Sequence, residues 1–261
     1  MHARSALFDL YGDHLRGRGG WAPVAALVRL LDPLGVAAPA VRTAISRMVA
    51  QGWLDPRTAH GAPGYALTER AERRLDDAAT RIYRTCSADW DGSWRVLVLD
   101  AVPDRPRRDR VRNQLRFLGY APLGDNTWVS PRKVDAGDLL DEEAVRAVQL
   151  TSTDPTPVAT LVDAFDLVSL GESYRDWLED ARTLVEAHPA ASPREAFGVR
   201  STLVHEWRKF LFRDPGLPAV LLPREWPGNA AADFFDRQAD LLLPSARQFI
   251  NECLPNRGDQ P

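Results

Sequence analysis

The stretch Pro39-Ala40-Val41-Arg42-Thr43-Ala44-Ile45-Ser46-Arg47-Met48-Val49 decides how the first third of the chain is read. Proline suits the first turn of a helix, where its missing N–H is not needed. At about 100° per residue, Val41, Ala44, Ile45, Met48 and Val49 fall on one side, and Arg42, Thr43, Ser46 and Arg47 on the other. The first set is a core face. The second interleaves arginines with short hydroxyls, which suits a helix laid in the major groove of DNA. Arginine reads guanine edges with two hydrogen bonds, and Ser or Thr adapts to bases or phosphates. An ordinary solvated face carries the same residue types, so the flanking sequence has to decide.

Upstream, Leu7, Phe8, Leu10 and Tyr11 form a helical stripe ending near Gly17 and Gly19-Gly20. Pro23 is placed at the first position of a second helix, with Val24, Leu27, Val28 and Leu31 at apolar spacing and Leu34-Gly35 closing it. Ala38, ahead of Pro39, has no oxygen with which to cap the third helix, which is expected to run to Gln51-Gly52. Downstream, Trp53-Leu54 and Tyr65-Ala66-Leu67 read as two short strands around a turn from Arg57 to Gly64. Thr68 then caps a helix in which Ala71, Leu75, Ala78, Ala79 and Ile82 face one way. Helix, helix, turn, helix, hairpin, helix is the order of a winged helix-turn-helix. In the wing, Arg57 and His60 are the candidates for backbone or minor-groove contact, whereas the tip Gly61-Ala62-Pro63-Gly64 carries no charge.

The middle of the chain changes character. Trp94 to Asp100 reads as a buried strand, followed by a helix with Val111, Leu115 and Leu118 on its apolar face and Gly119 as its stop. Tyr120 to Leu123 and Thr127 to Ser130 form a hairpin across Gly124-Asp125-Asn126. An acidic helix from Asp138 to Glu143 leads to a strand from Val145 to Leu150. Strand-helix-strand-strand-helix-strand is a ferredoxin-like α+β domain. Beyond residue 155 the pattern is helical, over Val158–Phe165, Glu172–His188, Pro193–Phe212 and Ala231–Leu254. Trp94, Trp128, Trp177, Trp207 and Trp226 sit in apolar patterns and are expected in cores; Trp177 and Trp207 also suit the wall of an aromatic pocket.

Composition bounds the function. The chain is 44% hydrophobic and 26% charged, as expected of a globular protein, and no apolar run approaches the ~20 residues of a membrane span. Net charge is −3, but residues 1–133 carry 21 Lys and Arg against 14 Asp and Glu, and residues 134–261 carry 12 against 22. A basic front and an acidic rear suit a protein that meets phosphates with one end. Cys86 and Cys253 lie too far apart in sequence to suggest zinc ligation or a disulfide framework, and a cytoplasmic location is expected. Asp100 ends a strand where a metal-binding carboxylate could sit, without a paired carboxylate at a matching strand end. No phosphate-binding loop, GxSxG or HExxH occurs, and the five histidines are scattered. His205, beside Glu206 and Arg208, reads as a surface ion pair. No catalysis, metal or cofactor is expected.

Several stretches resemble the PaaX family, the phenylacetate-degradation repressors of bacteria. They are Ala3-Arg4-Ser5-Ala6-Leu7-Phe8-Asp9-Leu10-Tyr11-Gly12-Asp13, residues 41–49 with Gly52-Trp53-Leu54, and Tyr65-Ala66-Leu67-Thr68. The most specific are Arg213-Asp214-Pro215-Gly216-Leu217-Pro218, Leu221-Leu222-Pro223 and Trp226-Pro227-Gly228. The resemblance implies an α+β protein in three parts. These are a winged helix-turn-helix (1–88), a central ferredoxin-like domain similar to Cas2 nucleases (89–154) and a helical effector and dimerisation domain (155–261). It implies a homodimeric repressor on double-stranded operator DNA, released by an aryl-CoA thioester such as phenylacetyl-CoA. Ala62-Pro63 departs from the family pattern, in which basic residues flank the tyrosine strand. CoA is a polyanion and needs a basic cluster. Arg208, Lys209 and Arg213 are the first candidates, with Trp177 for the aromatic group. Arg95, Arg105, Arg107 and Arg108 are the alternatives, and surface pairing is open for each. The Cas2 likeness leaves a metal-dependent nuclease as the competing function.

Overall fold

The computed structural model describes residues 1–59, 61–82, 90–155, 157–189 and 191–254. Helix α1 (Ala3–Leu10) buries Ala6, Leu7 and Leu10, runs on through one π-helical and one 3-10 turn, and stops at Gly19, whose φ of 91° suits glycine. Trp21–Pro23 then forms strand β1, which the sequence reading had missed. Pro23 is therefore the extended residue ahead of α2 (Val24–Leu31), not its first helical position. The buried side of α2 is Ala26, Leu27, Leu30 and Leu31, with Val24 and Val28 only half buried; the helix has turned to present Leu30. After a 3-10 turn, Gly35 takes the expected left-handed conformation (φ 71°). Helix α3 (Ala38–Ala50) starts without a side-chain cap, as read.

The hairpin is longer than its composition suggests. Strands β2 (Leu54–Ala59) and β3 (Ala62–Leu67) pair from Leu54 opposite Leu67 out to Ala59 opposite Ala62, so most of the expected turn is ladder. Proline is tolerated there because β2 is an edge strand and Pro63 lies beyond the end of β1 in the order β1-β3-β2. Thr68 caps α4 (Glu69–Ile82) as expected: its Oγ1 accepts from the Ala71 N–H at 3.2 Å and donates to the Gly52 carbonyl at 2.8 Å.

The central segment follows its predicted order: β4 (Trp94–Leu99), α5 (Arg105–Phe117), β5 (Ala121–Pro122), β6 (Thr127–Ser130), α6 (Gly137–Glu142) and β7 (Ala147–Ser152). The strands lie antiparallel in the order β5-β6-β4-β7. Asp104 caps α5, accepting from the Arg107 N–H at 2.8 Å. One face of the sheet, with Leu97, Leu99 and Trp128, packs on Val111, Leu115 and Leu139 of α5 and α6. The other, with Trp94 and Val129, packs on Leu161, Phe165 and Leu217. Val98 on β4 and its neighbour Val148 on β7 are exposed, so β4 is less buried than its apolar run implies.

Four helices follow: α7 (Val158–Asp163), α8 (Leu167–Glu186), α9 (Pro193–Trp207) and α10 (Pro227–Cys253). A capping box, Ser192 with Glu195, fixes the start of α9. None of the helices among the described residues is long and apolar enough to cross a membrane. The sequence reads as three successive parts, but the chain packs as two compact units. Unit 1 comprises Met1–Cys86, Trp177–Arg208 and Ala231–Pro261; unit 2 comprises Ser87–Asp176 and Lys209–Ala230. The reason is a shared core. Phe197 of α9 and Phe249 and Ile250 of α10 pack in one cluster with Leu7, Tyr11, Leu27 and Ile45. At ~1.5–3 kcal/mol per large apolar side chain removed from water, that seam is a major part of unit 1.

Charge is buried in the same seam. Arg200, 3% exposed, pairs with Asp13, donates from Nε to the Ala239 carbonyl at 2.9 Å and lies 3.5 Å from His14 Nε2. Burial pushes the His14 imidazole from 6.5 down to about 4; Asp13 opposes the shift, and Arg200, Arg18 and Arg247 assist it. Between those two values the unfolded chain binds a proton that the folded chain refuses. Stability should therefore be full above pH 6.5 and fall as pH drops toward 4, by on the order of 3 kcal/mol from this group. Urea unfolding at stepped pH should show the loss, and His14→Gln should flatten it. An equal slope in both proteins would remove His14 as its source.

Candidate nucleic-acid interface

Helix α3 presents its two faces as read. Val41, Ala44, Ile45 and Met48 are buried, with Val49 half buried, and Arg42, Thr43, Ser46 and Arg47 are exposed. Thr43 Oγ1 donates to the Pro39 carbonyl at 3.0 Å and Ser46 Oγ to the Arg42 carbonyl at 3.1 Å. Each hydroxyl thus spends its proton on the helix and turns lone pairs outward. Among the described residues, neither Arg42 nor Arg47 has a hydrogen bond or ion pair from its guanidinium. Both forks are available to an anion or a base edge.

The rest of the module fixes where that face points. The Trp53 N–H donates to the Met48 carbonyl at 2.9 Å, with Gly52 at φ 69° making the turn, and the Thr68 N–H returns to the Trp53 carbonyl at 3.2 Å. The end of α3, the hairpin and the start of α4 are thereby tied together. Phe8 meets the Trp53 ring edge to face at 5.0 Å, and Arg70 lies over the same ring at 5.4 Å.

The hairpin has its own lock, which the sequence reading did not anticipate. Trp21 Nε1 donates to the Arg57 carbonyl at 2.9 Å. A Cβ on Gly64 would stand 2.5 Å from the Ala22 carbonyl and 2.7 Å from the Trp21 ring, so only glycine lets β1 approach β3 this closely. Arg57 itself is exposed on β2, on strand and not in a turn, and its guanidinium has no partner among the described residues. His60 lies outside the described residues.

The effector candidates fall in different places. Trp177, 7% exposed, packs among Trp207, Phe234 and Phe235, with 4.8 Å between the Trp177 and Trp207 rings. Arg208, with its pKa lowered by burial, pairs with Asp9 of α1, and its Nε is buried without a partner. His205, expected in a surface ion pair, accompanies it with Nδ1 2.6 Å from Asp9 Oδ2. These belong to unit 1. Lys209 and Arg213 belong to unit 2, where Arg213 donates to Ser173 Oγ at 2.6 Å. Of the alternatives, Arg107 donates to the Ala144 carbonyl at 2.7 Å, Arg108 to the Val102 carbonyl at 3.0 Å, Arg105 lies 3.9 Å from Asp109, and Arg95 is bonded to Thr151. Asp100 accepts from Arg146 Nε at 2.9 Å, and no group of three or more metal-ligating side chains occurs among the described residues.

Three family models match in succession: PaaX-like protein over residues 2–71, the PaaX protein central Cas2-like domain over 87–159, and the PaaX-like protein C-terminal domain over 165–252. The chain belongs to the PaaX family. It is 29% identical to the transcriptional repressor PaaX of Escherichia coli K12, over 95% of this chain and 83% of that protein. An uncharacterized protein of Mycobacterium tuberculosis has a similar solved structure, with a TM-score of 0.61 and 25% identity, covering 95% of this chain and 98% of that one.

The lock between β1 and β3 is testable. Gly64→Ala should lower stability by ~1–3 kcal/mol, the usual cost of overpacking against atoms that cannot yield. Gly17→Ala and Gly124→Ala, where a Cβ would meet nothing within 4 Å, should leave it nearly unchanged. Thermal denaturation of the three variants checks this, and equal melting temperatures would contradict it.

Proposed function

We propose that this PaaX-family protein is a transcriptional repressor that binds double-stranded operator DNA, and not an enzyme. Residues 1–88 act as a winged helix-turn-helix with α3 in the major groove, where Arg42 and Arg47 read base edges and Thr43 and Ser46 adapt to bases or phosphates. The observation that carries this reading is the pair of exposed guanidinium groups of Arg42 and Arg47, without partners among the described residues, on a helix whose opposite face packs into the core. Similarity to a repressor across nearly the whole chain supports it. Arg57, exposed on β2, contacts the backbone beside the groove. One such module reads few base pairs, so two copies reading half-sites ~10 bp or a multiple of that apart form the specific complex, a homodimer. The protein works in the cytoplasm, where its DNA is.

The ligand-responsive part is residues 155–261, and the effector is an aryl-CoA thioester such as phenylacetyl-CoA, with Arg208 as the guanidinium that meets it. Arg208 already bonds Asp9 of α1. A polyanion competing for that guanidinium acts on the N-terminal segment through one ion pair. It releases DNA only by its difference in affinity for the free and DNA-bound forms, for which couplings of ~1–3 kcal/mol are usual.

Anisotropy titrations at fixed salt should show Arg42→Ala and Arg47→Ala weakening operator binding by ~1–3 kcal/mol each. Wild-type affinity in both would take α3 out of the groove. Phenylacetyl-CoA, but not phenylacetate, should lower DNA affinity. Equal effects of the two, or none, would remove the thioester as the effector.

A further inference from the structure

The arginines of unit 2 mostly have partners. Arg110 donates to both oxygens of Glu143 at 3.0 and 3.1 Å, and Arg107, Arg108 and Arg213 reach carbonyls or a hydroxyl. Arg132, just after β6, is not among these. Its backbone N–H donates to Ser130 Oγ at 3.2 Å, but among the described residues its guanidinium makes no hydrogen bond and no ion pair. It is half buried, and burial holds it below the usual arginine range against the opposing charge of Asp214. That carboxylate is engaged elsewhere: Oδ2 accepts from the Tyr174 hydroxyl at 2.5 Å and Oδ1 from the Gly216 N–H at 2.7 Å. A partly desolvated charge without a partner is costly, and such groups are ordinarily paired.

The backbone around Arg132 is shaped to leave it room. Gly119 (φ +89°) and Gly216 (φ +68°) both face it. A Cβ on Gly119 would stand 3.3 Å from Arg132 Cδ and Nη1 and 2.7 Å from the Pro215 carbonyl, and one on Gly216 would stand 3.6 Å from Nη1. Among the described residues, only Trp94 Nε1 and Arg208 Nε are shut away from solvent without a partner, so the bare N–H groups of Arg132 keep an opening. Two residues before Gly119 and four before Gly216, Phe117 and Phe212 bring their rings to 5.4 Å, and Phe212 is 61% exposed.

From this we infer a ligand site on unit 2 in which Arg132 takes an anionic oxygen pair, carboxylate or phosphate, of a small organic molecule whose apolar body lies on Phe117 and Phe212. The fork matches either anion with two parallel hydrogen bonds. The site uses none of the residues proposed above for the effector, and its occupancy is read without DNA, so it stands or falls apart from the repressor reading.

Calorimetric titration of the full chain with phenyl phosphate, phenylacetate and inorganic phosphate tests it. One or both of the organic anions should bind, and more tightly than inorganic phosphate; which one binds separates a phosphate from a carboxylate source. Arg132→Met should weaken binding at least tenfold and Arg132→Lys less. Because desolvation of the guanidinium outweighs its attraction to Asp214, Arg132→Met should melt at or above the wild-type temperature. The site is refuted if neither organic anion binds, if Arg132→Met binds as the wild type does, or if that variant melts lower.

Discussion

A charge buried in a protein core must be matched where it lies, and in unit 1 two such matches join the ends of the chain. Arg200 of α9 is held by Asp13, His14 and the Ala239 carbonyl, and Asp9 of α1 is held by His205 and Arg208. Buried pairs of this kind add little net stability, because desolvation offsets most of the attraction. Removing one partner costs ~3–5 kcal/mol, because the other is left uncompensated. Their effect is therefore to specify: α9 has one acceptable register against α1. The apolar seam of Phe197, Phe249 and Ile250 supplies the stabilisation, and the ion pairs fix the alignment.

The placement of α3 follows from that alignment. Its buried residues Val41, Ile45 and Met48 belong to the same cluster as Leu7, Tyr11 and Phe197, so the helix cannot rotate without disturbing the seam. Its C-terminal end is tied by Trp53 and Thr68, and the hairpin beyond is held where Trp21 crosses Gly64. A surface that reads DNA needs such rigidity, because groove contacts count only when several side chains reach their targets together. Helices α9 and α10 thus belong to the scaffold that holds α3, and Arg208 ties the end of α9 to that scaffold at Asp9.

Much of this was legible in local sequence. The two faces of α3 follow from the 3.6-residue period, the cap at Thr68 from its hydroxyl, and the strand order of the central sheet from the succession of elements. Other features were illegible for physical reasons. Trp21-Ala22-Pro23 is too short to show a period, and its proline is equally at home ahead of a helix. The β2–β3 ladder runs through Pro, Gly and Thr, which composition assigns to turns until the edge position of β2 explains them. Most of all, sequence spacing cannot reveal a partner nearly two hundred residues away. Arg208 and His205 read as surface charges, and their engagement with Asp9 is visible only in the fold. Trp177 went the other way: an aromatic suited to a pocket wall or a core is in the core.

If the N-terminal helices and α9 and α10 are one cooperative structure, they should open together. Native-state hydrogen exchange of the full chain measures this directly, because amides of one cooperative unit share one opening free energy. Amides of α1, α3, α9 and the second half of α10 should converge on a common value and fall together in Arg200→Met. Protection of α1 and α3 that differs from that of α9 and α10, and is untouched by Arg200→Met, would contradict the account.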